Sequence, residues 1–340
     1  MMKKGNRISA VILVMIMIFS VSGCGVREKK GAEQNSTREK EATTATRAPE
    51  KVLNVNSENK LIYCITPDIS NPHFAIVQKA CTEEGEKLGY KVECVSHGDD
   101  AVKQEELFEE AISRRASAII CDNAGADASV TAIQKARDAG IPTFLVDREI
   151  SMEGLCISQI TADNVQGATD VAKALAEATG GEGDYAELQG LGSDTNGKIR
   201  SEAFHKILDQ TDMKMVARQA ANWSRKEARK KTTTILQQYP DIVAIVCGND
   251  TMACGAAEAL AEFNLDHDVY IIGIDGSEEM QKNIIDGKCL ATAFFPIEKM
   301  TKNAVDQADD YLREGSTGLE ERQVMECTVI TKDNVDKLNF

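Results

Sequence analysis

The feature that most constrains this chain is a rhythm. From Leu61 onward, short apolar runs alternate with stretches of helical spacing. "LIYCIT" precedes a helical pattern from Phe74 to Leu88, and "KVECVS" precedes one from about Val102 to Arg114. "SAIIC" precedes a third from about Ala128 to Ala139, and "PTFLV" follows it. Continuous apolar runs belong to strands buried on both faces, and the helices between them supply right-handed crossovers. The pattern then restarts. "DYAELQ", "MKMVAR", "IVAIVC" and "VYIIGI" each lead into a helical stretch: about Gly197 to Leu208, Ser224 to Gln238, Thr251 to Phe263 and Glu278 to Ile285. A chain of 340 residues has room for both halves. The prediction is an α/β protein of two doubly wound parallel-sheet lobes.

In such sheets ligands bind beyond the carboxyl ends of the strands, so those positions are the ones to read. After the first strand comes Asn71-Pro72-His73-Phe74; after the third, Asp122-Asn123; after the fourth, Asp147-Arg148. In the second half the strand ends deliver Asn196 and Arg200, Asn222-Trp223, Gly248-Asn249-Asp250 and Asp275-Gly276. One such pair is ordinary turn chemistry, since Asn, Asp and Gly favour turns. The recurrence at strand after strand, in both halves, points to a binding rim.

The rim suits a sugar or a sugar alcohol. Arg148 and Arg200 offer planar forks of donors, Asp122, Asp147 and Asp275 offer acceptors, and Asn71, Asn123 and Asn249 offer both. Phe74 and Trp223 offer flat faces for C–H groups. Carboxylates beside guanidiniums cancel charge, which favours a neutral ligand. A phosphate site would show a Gly-rich loop with uncompensated Lys or Arg. "GLGSDTNGK" fails as a P-loop: the glycine spacing is wrong, and Ile199 stands where Ser or Thr is needed. Only 5% of the chain is aromatic, too little for a long oligosaccharide platform. The formal net charge of −15 argues against nucleic acid.

The first residues read as an export signal. Lys3, Lys4 and Arg7 precede an apolar run from Ile8 to Val21. Val21-Ser22-Gly23-Cys24 resembles the lipobox of bacterial lipoproteins, with Cys24 as the lipidated residue of an extracytoplasmic, membrane-anchored protein. Residues 24–51 carry charge, Thr, Ala and Gly without an apolar period and read as a flexible tether. Nine cysteines remain after Cys24, and no CxxC occurs. Cys64, Cys121 and Cys247 lie in strand-like runs and are expected as core thiols. No metal and no cofactor are expected.

Taken in order, "NPHF", "IPTFLVDRE", "TADNVQGA", "IRSEAF", "GNDTMACGA", "IIGIDG" and "GKCLATAFF" resemble the type 1 periplasmic sugar-binding protein family, the ribose binders in particular, over about residues 60 to 335. The resemblance implies a substrate-binding lipoprotein of a sugar ABC transporter, a monomer with two lobes and a three-strand hinge. It implies crossings near Thr161–Asp163, Phe295–Ile297 and Met325–Cys327. The lobes would then comprise 52–162 plus 297–324 and 163–296 plus 325–340. It implies ligand contacts from Asn71, Phe74, Asp147, Arg148, Arg200, Trp223, Asn249 and Asp275, with Asp147 and Arg148 holding one another in place. Departures from the ribose pattern are His73 at an aromatic position, Asp122-Asn123, and Phe295 where a Gln falls. They make another pentose, a hexose or a polyol as good a fit as ribose.

Three other readings share this fold or this chemistry. LacI-type repressors carry a DNA-binding segment where this chain has its signal. A sensor would present the same ligand to a membrane kinase or chemoreceptor in place of a permease. An enzyme would need a free carboxylate pair, and the four His are scattered.

Overall fold

The computed structural model describes residues 59–263, 265 and 267–337. The expected signal segment, Cys24 and the tether lie outside the described residues.

The first half runs β1 (Leu61–Thr66), α1 (Pro72–Lys87), β2 (Lys91–Ser96), α2 (Ala101–Ser113), β3 (Ala118–Cys121), α3 (Val130–Asp138), β4 (Thr143–Val146) and β5 (Ser158–Ala162). The second runs α4 (Asn164–Thr179), β6 (Glu182–Gln189), α5 (Thr195–Leu208), β7 (Asp212–Ala220), α6 (Arg225–Gln238), β8 (Ala244–Cys247), α7 (Asp250–Leu260), β9 (Tyr270–Asp275), α8 (Glu278–Ile285) and β10 (Ala291–Phe294). The chain then returns through α9 (Ile297–Glu314), β11 (Arg322–Met325) and β12 (Thr328–Thr331).

These strands form two six-stranded sheets, ordered β11-β5-β4-β3-β1-β2 and β12-β10-β9-β8-β6-β7. Every pairing is parallel except β10 with β12. The expected fold class is therefore the observed one. All six residues of β1 are buried, as are all of β3, β4 and β8. Each large apolar side chain enclosed this way contributes roughly 1.5–3 kcal/mol. Cys64, Cys121 and Cys247 are fully buried in these strands and unpaired, as expected of core thiols.

The chain passes between the sheets three times: from β5 to α4, from β10 to α9, and from β11 to β12. The crossings are tied side by side. The backbone N–H of Asp163 donates to Met325 O at 2.8 Å. The backbone N–H of Cys327 donates to Gln166 Oε1 at 2.8 Å. After its crossing, α9 is held on the first sheet by Tyr311, whose ring meets Phe144 of β4 edge to face at 6.2 Å. Three short parallel connections make a hinge that bends without sliding the packed layers.

Candidate functional site

The strand ends of both sheets converge on one cavity of about 250 Å³. Asn71, His73, Phe74, Asp147 and Arg148 line it from the first lobe. Asp194, Asn196, Arg200, Trp223, Asn249 and Asp275 line it from the second. Helix starts place most of these residues. Asn71 caps α1, with Pro72 in the first turn, and its Oδ1 accepts from the His73 N–H at 3.1 Å. Asp194 and Asn249 cap α5 and α7 in the same way.

Several lining residues have unusual backbones. Asp147 has φ 65, Trp223 φ 61 and Asp275 φ 133, all in regions that side chains other than glycine rarely adopt. Such conformations persist only where surrounding structure enforces them, and they gather at ligand sites. The Trp223 ring also needs a glycine opposite. A Cβ on Gly190 would stand 2.0 Å from the indole, so only glycine admits the ring.

The expected mutual pairing of Asp147 and Arg148 is corrected: among the described residues no ion pair joins them. Asp147 Oδ2 lies 3.2 Å from His73 Nε2, and its Oδ1 accepts from Asn196 Nδ2 at 3.0 Å across the cleft. Arg148 turns to other acids. Its Nη1 donates to Asp99 Oδ1 at 2.6 Å, and its Nε stands 2.9 Å from Asp194 Oδ2 and 3.4 Å from Asp122 Oδ1. Its guanidinium also lies over the Phe74 ring, 5.3 Å from the centroid.

Arg200 is held differently. Its Nε donates to Asn164 Oδ1 at 2.7 Å and its Nη1 to Gly248 O at 2.9 Å. The guanidinium lies over Phe295 at 4.6 Å and over Trp223 at 5.5 Å. Asp275 Oδ1 is 3.8 Å from both Arg200 Nη1 and His73 Nδ1, so His73 stands between an acid of each lobe. Thr251 Oγ1 donates to Asn71 Oδ1 at 3.1 Å, another bond across the cleft.

Charge follows this geometry. Burial raises the Asp147 carboxyl, but the charge and hydrogen bond of His73, with Arg200 and Arg148 beyond, outweigh it and bring it to about 2. Burial lowers the His73 imidazole, and the charges of Asp275 and Asp147 outweigh that and raise it. Burial and the charge of Asp147 push Asp122 well above the carboxylate range, and burial raises Asp194 and Asp275. Behind the rim, burial and the charge of Asp275 lift Asp250 to about 7.

Ten of the thirteen residues expected as ligand contacts line the cavity. Asp122, Asn123 and Phe295 are not among the lining residues and stand behind them. Asn123 braces the loop after β4, donating from Nδ2 to Arg148 O at 2.7 Å. Phe295 is buried beneath Arg200 as its platform. Asp122 stands behind Arg148. Asp194 and Asp99 were missed. Asp194 lies in "GLGSDTNGK", two residues before the expected contact Asn196, and Asp99 sits in the "HGDD" that follows β2. Their only signal was position at a strand's carboxyl end.

Donor atoms of His73, Asp122 and Asp147 lie within 4.8 Å of one another, the one such cluster among the described residues. The Arg148 guanidinium 3.4 Å from Asp122 opposes a dication there. The arrangement offers donors and acceptors of balanced charge around one cavity, which is what a polyhydroxylated neutral molecule requires.

Residues 62–317 match the family described as "Periplasmic binding protein domain". The D-apiose import binding protein of Actinobacillus succinogenes is 46% identical over 287 residues, covering 84% of this chain and 92% of that protein. The ribose import binding protein of Bacillus subtilis is 32% identical over 260 residues, covering 76% of this chain and 84% of that one. Among solved structures, an ABC transporter periplasmic solute-binding protein from Actinobacillus succinogenes with bound D-allose aligns at a TM-score of 0.77 and 26% identity, covering 82% of this chain and 99% of that one.

Proposed function

This chain belongs to the periplasmic binding protein domain family, and from that premise we propose that it is an extracytoplasmic solute-binding protein. It captures one neutral monosaccharide or sugar alcohol between its lobes and delivers it to an ABC transporter permease. The observation that carries the reading is the cavity itself: both lobes supply hydrogen-bonding side chains to one cavity, and its cations and anions pair off within the wall. Relatives named for import favour a permease over a sensor kinase as the recipient. D-apiose, named in the 46% identical relative, is the first sugar to test.

Binding, and not turnover, is the activity proposed. Asp147 is ionised and pinned by His73 and Asn196, so it is a poor proton acceptor. Anchoring through a lipid on Cys24, the 24–51 tether and a monomeric state complete the proposal. Association of sugar with either lobe, followed by closure about the hinge, shifts the population toward the closed form.

A thermal-shift screen over D-apiose, D-ribose, D-allose, myo-inositol, sugar acids and trisaccharides tests this, because binding to the folded form raises its melting temperature. A rise with one or more neutral monosaccharides or polyols is expected. A rise only with a sugar acid or a trisaccharide overturns the reading.

A further inference from the structure

The bond that Asn196 makes to Asp147 across the cleft is the end of a longer chain. Arg200 Nε donates to Asn164 Oδ1 at 2.7 Å, Asn164 Nδ2 donates to Asn196 Oδ1 at 3.1 Å, and Asn196 Nδ2 donates to Asp147 Oδ1 at 3.0 Å. A cation of the second lobe is thereby joined to an anion of the first through a pair of amides. All of these residues are buried. Arg200, Asn196 and Asp147 line the cavity, whereas Asn164 stands behind them at the start of α4, where the chain has just crossed from β5.

The chain has one direction. A guanidinium carries donors only, so the group that faces Arg200 Nε is the Asn164 oxygen. The Asn164 nitrogen then faces Asn196 Oδ1 and, at 3.3 Å, Ala162 O, both acceptors. Turning this amide over would set donor against donor at one end and oxygen against oxygen at the other. With its own oxygen held by Asn164, Asn196 presents its nitrogen to Asp147, whose carboxylate is ionised and only accepts. Asn164 opens α4, and Asn196 and Arg200 lie on α5, so the bonds among them stay within the second lobe and do not depend on closure. The last bond of the chain is the one that crosses the cleft.

We propose that Asn164 is a positioning residue for closure: it holds the Asn196 amide with its nitrogen toward the cleft, so that Asp147 meets a donor when the lobes close on the sugar. The proposal rests on the reading of the cleft as a monosaccharide site. A contact set in place beforehand costs less to order, and the gain belongs to the closed complex, so it acts on sugar release more than on encounter.

Asn164→Asp isolates this role. The new side chain keeps an oxygen for Arg200 and loses the donor for Asn196. The Asn196 nitrogen then turns to the introduced carboxylate, and its oxygen faces Asp147. Trp223, the single tryptophan of the chain, lines the cavity and reports binding by its fluorescence. Stopped-flow and equilibrium titrations with D-apiose, D-ribose and D-allose, on wild type, Asn164→Asp, Asn196→Ala and the double variant, test the proposal. Asn164→Asp is expected to lose about ten- to a hundredfold in affinity for the sugar that wild type binds, most of it as faster dissociation. In the Asn196→Ala background the same substitution should change affinity by no more than about twofold, because the amide through which it acts is gone. Wild-type affinity in Asn164→Asp overturns the proposal. So does an equal factor of loss in both backgrounds, which marks an effect through Arg200 or the scaffold. If Asn164→Asp does not fold, Asn164→Ala enters the same cycle, where its loss should shrink in the Asn196→Ala background, and strict additivity overturns the proposal. If wild type binds no neutral sugar, the monosaccharide reading itself fails and the positioning role fails with it, an outcome told apart from the others because wild type is then silent.

Discussion

The two arginines of the cavity wall are the same side chain held by different balances of charge and packing. Arg148 meets three carboxylates, those of Asp99, Asp122 and Asp194. Arg200 has one carboxylate, Asp275, at 3.8 Å, and is otherwise fixed by neutral oxygens, those of Asn164 and Gly248, and by the rings of Phe295 and Trp223 beneath its guanidinium. The first is held mainly by charge and the second mainly by shape. The difference matters for closure, because Asp194 belongs to the opposite lobe from Arg148, whereas Asn164, Gly248, Trp223 and Phe295 all lie on the side of Arg200 or at its hinge. Arg148 is therefore the arginine whose environment changes when the lobes part.

The largest effect should come from Arg148→Ala. Removing one partner of a buried ionic cluster leaves uncompensated charge, and the loss of folding stability should be about 3–5 kcal/mol. Arg148→Lys should restore much of that stability, since a point charge still faces the acids. Denaturant unfolding of the two variants checks this, and equal destabilisation by both would remove charge as the organising principle. Arg200→Ala should lose about 1–3 kcal/mol by stranding Asn164 Oδ1 and Gly248 O. Here Arg200→Lys should be nearly as damaging, because an ammonium reproduces neither the fork nor the stacking. If lysine rescues Arg200 as well as it rescues Arg148, the contrast between charge and shape collapses.

Much of this was legible in the sequence, for reasons that can be named. Strands such as "LIYCIT" and "AIVC" are buried on both faces and so read as unbroken apolar runs. β5 was not legible as a strand from periodicity, because "SQITA" buries Ser, Gln and Thr. Gln159 is satisfied only by tertiary partners, its Nε2 donating to Glu321 Oε1 at 2.8 Å and its Oε1 accepting from the Ile150 N–H at 2.9 Å, while Ser158 Oγ has no hydrogen-bond partner among the described residues. The site residues were legible because the strand ends of a doubly wound sheet must converge. Their pairing was not. Asp147 and Arg148 are sequence neighbours just past β4, where Asp147 takes φ 65, and each side chain found its partners elsewhere. Asp194 was not legible for another reason: its role depends on Arg148 of the opposite lobe, which no local spacing encodes.

A smaller effect should separate His73 from both arginines. Its imidazole is raised by the charges of Asp275 and Asp147, while Arg200 acts against them. A raised histidine adds stability that is fully present below its ordinary value of about 6.5 and is lost as pH rises through the raised one. Asp147 works at the other end: its contribution is present above its ordinary value of 3.8 and is lost only as pH falls through about 2. Melting temperature should therefore decline on the alkaline side of neutrality, and His73→Gln should flatten that limb. An unchanged alkaline limb in His73→Gln would show that the histidine is not the bridge between Asp147 and Asp275.

The central claim is that one neutral sugar occupies the cleft and is gripped by both lobes. Isothermal titration of the wild-type protein with D-apiose, with D-galacturonate as the charged comparator, tests it most directly. The account predicts saturable heat at one sugar per chain for D-apiose and none for the uronate, whose carboxylate would face Asp147, Asp194 and Asp275. Saturable binding of the uronate, with no heat from D-apiose, would contradict it.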